Sequence, residues 1–124
     1  MKVLRVKPRY LPEIVEIDGS LESLQKEVGG DIQAVYPWED PVALICNDEG
    51  KIMGLEVNRP LLDAKAKVYD YIAGTFLIVG LTEDDFGSLS DELAQKYEGL
   101  FHRCYRLLDS DDGKRYFVQV KPIQ

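Results

Sequence analysis

Residues 2–7 alternate, with Leu4 and Val6 on one side of the chain and Arg5 and Lys7 on the other, the period of a half-buried strand. Pro8 and Pro12 bracket a turn. Glu13 to Ile17 then alternates again, with Val15 and Ile17 on one face, so an opening β-hairpin is expected. After Asp18-Gly19 the period changes. Ser20 suits an N-cap, Glu22 sits in the first turn where the helix dipole favours an anion, and Leu21, Leu24 and Val28 form one apolar stripe. Gly29-Gly30 predicts the end of this helix, because glycine enters the left-handed conformation without a side-chain penalty.

Ile32 to Tyr36 reads as a strand stopped by Pro37, and Val42 to Cys46 as another. Asn47-Asp48-Glu49-Gly50 carries the residues of a tight turn, which makes Lys51 to Leu55 the returning strand. Val57 to Leu61 is expected as a loop, because Pro60 cannot donate to a central ladder, and the polar stretch Asp63 to Lys67 as a further turn. Ala73 to Gly80 is the most apolar run and predicts a central strand covered on both faces, with Gly74 marking a bulge or a close backbone approach. A second helix is expected from about Leu89, with Ser88 and Asp91 as a capping box, Leu89, Leu93 and Tyr97 on one face, and Gly99 as its stop. The apolar spacing also permits that helix to run on through Cys104 and Leu107. The stop is favoured, because Phe101 to Leu108 and Arg115 to Val120 alternate around the turn Asp109 to Gly113, a closing hairpin.

The expected order is β-β-α-β-β-β-β-α-β-β. Strands follow one another in hairpins instead of alternating singly with helices, so the class is α+β with a mainly antiparallel sheet and two helices. With 124 residues and no internal repeat, low-complexity tract or linker, residues 1–124 read as one domain.

Composition narrows the function classes. Hydrophobic residues make up 45% and charged residues 30%, the balance of a folded globular chain. No apolar run approaches the roughly 20 residues of a membrane span, and the alternating N-terminus does not resemble a signal peptide, so a cytoplasmic setting is expected. Cys46 and Cys104 lie far apart in apolar stretches, which predicts buried free thiols. A net charge of −7 argues against nucleic acid as a partner. The one basic concentration, Lys2, Arg5, Lys7 and Arg9, has Glu13 and Glu16 opposite it and is expected to be spent on ion pairs.

Catalytic signals are few. The one histidine, His102, lies in the closing apolar segment with no nucleophile motif around it, and reads as structural or surface. Acidic pairs such as Asp84-Asp85 and Asp111-Asp112 read as solvated turns, so neither a metal nor a cofactor is expected. Two segments stand out as candidate binding residues. Tyr36 and Trp38 flank Pro37 at a strand end and can anchor a partner, or Trp38 can cover the edge of the core. Asn58 and Arg59, with Asp70 and Thr75, form a second candidate set. Arg59 suits bidentate recognition of a carboxylate, and Asp70 is an equally good internal partner.

At these residues the chain resembles a known family. Glu16 to Leu21 leading to Val28-Gly29-Gly30, Cys46 to Lys51, Asn58-Arg59 and Ile72 to Gly80 appear in the order of a bacterial family known as a domain of unknown function. The likeness covers about residues 1–100. It implies small bacterial proteins carried on phages and conjugative elements of gut Gram-positive species, and it carries no activity or site residue with it. Two readings remain: a non-catalytic binding or regulatory module whose partner is a protein, or a small-molecule-binding protein or enzyme with a pocket around Arg59, Asp70 and Thr75. A variant of the first is an acidic decoy that imitates DNA.

Overall fold

The computed structural model describes residues 1–123. Two short antiparallel pairs enclose the first helix: β1 (Lys2–Val6) with β2 (Glu13–Glu16), and β3 (Ile32–Val35) with β4 (Val42–Asn47), on either side of α1 (Leu21–Val28). β5 (Val57–Leu62) and β6 (Val68–Ala73) form a separate hairpin. β7 (Phe76–Leu81) then enters between β1 and β4 and unites the two pairs into one sheet of order β2-β1-β7-β4-β3, with the two-residue β8 (Phe86–Gly87) attached to β7. After α2 (Asp91–Leu100), β9 (Cys104–Asp109) and β10 (Arg115–Val120) close the chain as a two-stranded hairpin. Every pairing is antiparallel, and the class is α+β.

The sheet is covered on both faces, and the two-residue period divides its side chains between two cores. Val3, Ala43, Ile45, Leu77 and Val79 pack against Leu24 and Val28 of α1. Leu4, Val6, Leu44, Phe76 and Ile78 face the other way, onto Leu61 and Ile72 of the β5–β6 hairpin and Ala94, Tyr97 and Phe101 at α2. β4 and β7 lie in the middle, and the expected double burial of the Phe76–Gly80 run holds. Leu21, read as part of the α1 stripe, is instead exposed, since α1 meets the sheet through Leu24 and Val28 alone.

Local chemistry sets the helix ends. Ser20 Oγ accepts from the Ser23 N–H at 3.1 Å, and Gly29, at φ +80°, donates to the Gln25 carbonyl at 2.8 Å. At α2 the cap is Ser90, whose Oγ accepts from the Leu93 N–H at 3.2 Å, and not Ser88. Ser88 Oγ is already taken by the Lys2 N–H at 3.0 Å, which fixes the chain against β1 and buries Leu89 ahead of the helix. The helix ends at Leu100, one residue past the expected stop.

Between the helices three local expectations change. Residues 51–55 form consecutive turns, closed by the Leu55 N–H on the Gly50 carbonyl at 3.0 Å, and not a strand. Val57–Leu62 is a strand despite Pro60, because a break in register between Val57 and Pro60 lets the proline sit where no ladder N–H is required. Gly74 lies in the turn between β6 and β7 at φ +86°, its N–H donating to the Glu56 carbonyl at 2.7 Å, with Leu55 against the space a Cβ would need.

The basic N-terminal residues are spent on ion pairs, across the hairpin to Glu13 for Arg5 and Lys7 but to more distant acids for Lys2 and Arg9. Arg5 pairs with Glu13 at 2.9 Å and with Glu27 of α1 at 3.1 Å, Lys7 with Glu13, Arg9 with Glu56 and Lys2 with Asp91. Glu16 receives the N-terminal amine. Cys46 and Cys104 are free and buried.

Candidate functional site

The β5–β6 hairpin lies over one end of the sheet and leaves the adjoining part open. The result is a cleft of about 450 Å³, a size suited to a small molecule or a few side chains. Its floor is Val35, Cys46, Leu61 and Ile72, its near wall Tyr36 and Pro37, and its far wall the 48–52 turn facing Tyr69 to Ala73 of β6. A smaller pocket of about 80 Å³ continues from it past Pro37, Leu61 and Tyr69 towards Trp38, Phe101, Arg103 and Tyr105. The two candidate segments therefore meet. Tyr36 and Asp70 line the larger cleft, Trp38 and Arg59 the smaller, and Tyr69 stands between.

Arg59 is spent on structure. It is 1% exposed, and all five of its N–H groups have acceptors. Nε and one Nη2 proton go to the Phe101 carbonyl at 3.1 and 2.9 Å, and the other Nη2 proton to the Tyr10 carbonyl at 2.6 Å. Nη1 reaches the Lys7 carbonyl at 3.2 Å and Asn58 Oδ1 at 2.8 Å. No carboxylate is among these partners. Burial lowers its pKa from the ordinary value, and carbonyl dipoles stand where a counter-ion would be. Asn58 is equally committed, donating to the Val6 and Gly74 carbonyls at 2.9 Å each. Neither Asn58 nor the half-buried Thr75 lines either cavity.

Asp70 points away from Arg59 and accepts from Lys51 Nζ at 2.5 Å. Burial raises its pKa, but the Lys51 contact and the Tyr71 N–H outweigh it and hold the carboxyl below its usual range. Lys51 also sits 4.4 Å from the centre of the Tyr71 ring. Trp38 covers the core edge, with ring centres 4.6 Å from Tyr97 and 5.9 Å from Phe101. Tyr36 is 59% and Tyr69 56% exposed, and neither hydroxyl has a hydrogen-bond partner among the described residues.

The 48–52 turn brings to this site residues that the sequence did not nominate. Asp48 and Glu49 put two carboxylates on the wall without an ion-pair partner among the described residues, and Ile52 beside them is 87% exposed. Their sequence reads as an ordinary acidic turn, and nothing local signals that β6 packs opposite. Burial, followed by the fields of Asp48 and Asp70, pushes the Cys46 thiol pKa up.

His102 is exposed in the short link between α2 and β9, not in a strand. Among the described residues, no three His, Cys, Asp or Glu side chains converge as a metal site, and no helix is long and apolar enough to cross a membrane. No curated protein and no solved structure matches this chain. Residues 1–102 match the family model described as a domain of unknown function (DUF3846), and the chain belongs to that family.

Proposed function

We propose that this family member is a non-catalytic binding or regulatory module of one domain, and that the paired cavities on either side of Tyr69 receive a protein partner. One observation carries the reading. Arg59, the side chain best suited to hold a substrate carboxylate, has all five donors answered by its own chain, while Tyr36 and Tyr69 at the mouth of the cleft are exposed and unbonded. Exposed tyrosines beside an apolar floor are the usual anchors of protein recognition, supplying large contact area at little entropic cost. The resemblance to proteins of phages and conjugative elements supports a bacterial cytoplasmic setting in which the partner belongs to the host or the element.

The cleft volume of about 450 Å³ favours a second reading, a small-molecule binder using Asp70 in place of Arg59. Affinity capture from a bacterial lysate separates the two. A protein retained by the native chain and lost from a Tyr36→Ser, Tyr69→Ser variant of unchanged thermal midpoint is the expected result. Equal capture by both chains rejects the proposal. Capture of a metabolite alone selects the second reading.

A further inference from the structure

The larger cleft is acidic as well as aromatic. Asp48, Glu49 and Asp70 stand on its walls against Lys51 as the single cation of the lining, and Lys51 is already engaged by Asp70 and the Tyr71 ring. Two carboxylates and two tyrosine faces, Tyr36 and Tyr69, are thus left without a partner among the described residues. That set matches a side chain with an apolar stem and a cationic head, since a carboxylate and an aromatic face both attract a cation while the stem covers apolar floor. β3 contributes Gln33 and Val35 to the lining and is the terminal strand of the sheet, paired only on its β4 side among the described residues. A free strand edge offers backbone donors and acceptors to an extended chain.

We infer that the cleft receives an extended, basic segment of a partner protein, laid along the edge of β3 with Lys or Arg side chains that meet Tyr36 and Tyr69 at one end of the strand and Asp48 and Glu49 at the other. The inference rests on the proposed binding role and names the chemistry of the partner.

The test uses the full chain and two blocked peptides, acetyl-Val-Arg-Val-Arg-Val-amide and its counterpart with Gln in place of each Arg. Backbone amide shifts in NMR follow the titrations. The Arg peptide is expected to move amides at 32–36, 48–52 and 69–73, and to bind roughly tenfold more tightly than the Gln peptide, with the difference shrinking as salt rises. A Glu49→Gln, Asp48→Asn variant is expected to lose that advantage. Neither side chain bonds to another group among the described residues, so the variant keeps its stability. Equal shifts by both peptides, shifts that map elsewhere, or an unchanged preference in the variant overturn the inference. A lysate partner that still depends on Tyr36 and Tyr69 after such a result leaves the binding role standing and removes only the basic segment.

Discussion

β4 and β9 are both six-residue strands, one an apolar run from Val42 to Cys46 and the other a mixture of apolar and charged residues, and the fold uses them in opposite ways. Every residue of β4 is buried, because β3 and β7 flank it and both faces of the sheet are covered. In β9 only Cys104 is buried, and on β10 no residue is. The hairpin they form turns Leu108, Tyr116 and Val118 to solvent, and holds its shape through cross-strand neighbours such as Tyr116 opposite Leu108 and the Arg115–Asp109 pair. It also lies beyond residues 1–102, the span matched by the family. The difference shows that cross-strand pairing alone makes a strand, while the depth of burial depends on what covers each face.

Mutations grade this contrast. Arg59→Met strikes the point where the sheet side of the molecule meets the root of the hairpin. It strands the carbonyls of Lys7, Tyr10 and Phe101, and denaturant titration should register a loss of about 3–5 kcal/mol. Ile78→Ala, at a fully buried position of β7, should cost roughly 3–4 kcal/mol by the same measurement. Tyr97→Phe removes the donor held by Asp40 at 2.7 Å and should cost about 1 kcal/mol. Val118→Thr on the exposed hairpin face should change the midpoint by less than about 0.5 kcal/mol. A loss at Val118 comparable to that at Ile78 would mean that the hairpin face is covered and would end the comparison.

Acid offers a gentler probe of the same contrast. Hydrogen bonding from Arg5, with help from Lys7, pulls the Glu13 pKa down, as Lys96 and Tyr97 do for Asp40. A carboxyl whose folded pKa lies below its unfolded value stabilises the fold above about pH 4, and loses that contribution as pH falls through the folded value. The thermal midpoint of Glu13→Gln should therefore lie below that of the native chain at pH 7, and the gap should close as pH falls through the folded value of Glu13. A gap that persists at low pH would show that the side chain acts by packing and not by charge.

The elements that follow a single local rule were legible in the sequence: the α1 caps at Ser20 and Gly29, the central run of β7 and the closing hairpin. Where two rules competed, reading failed. Pro60 argued for a loop, yet a register break accommodates it, and Lys51 to Leu55 reads as the returning strand although Gly54, at φ +73°, turns the chain there. The candidate site was half legible. Tyr36, Trp38, Asp70 and Arg59 do gather around two joined cavities. Arg59 was matched to Asp70 because sequence displays carboxylates, whereas its real partners are backbone carbonyls, which every residue carries and no residue advertises. Asp48 and Glu49 acquire meaning only once the β5–β6 hairpin crosses the sheet.

The environment of Arg59 also orders events in time. Apart from Asn58 beside it, its acceptors lie 49 and 52 residues upstream and 42 residues downstream. The guanidinium therefore closes nothing local. Its full set of bonds forms only when both distant segments have arrived, a step made slow by the loop closures it requires. On a ribosome the full set forms only after Phe101 has emerged, so this one side chain joins the start of the chain to the end of α2 and registers whether both have reached their places.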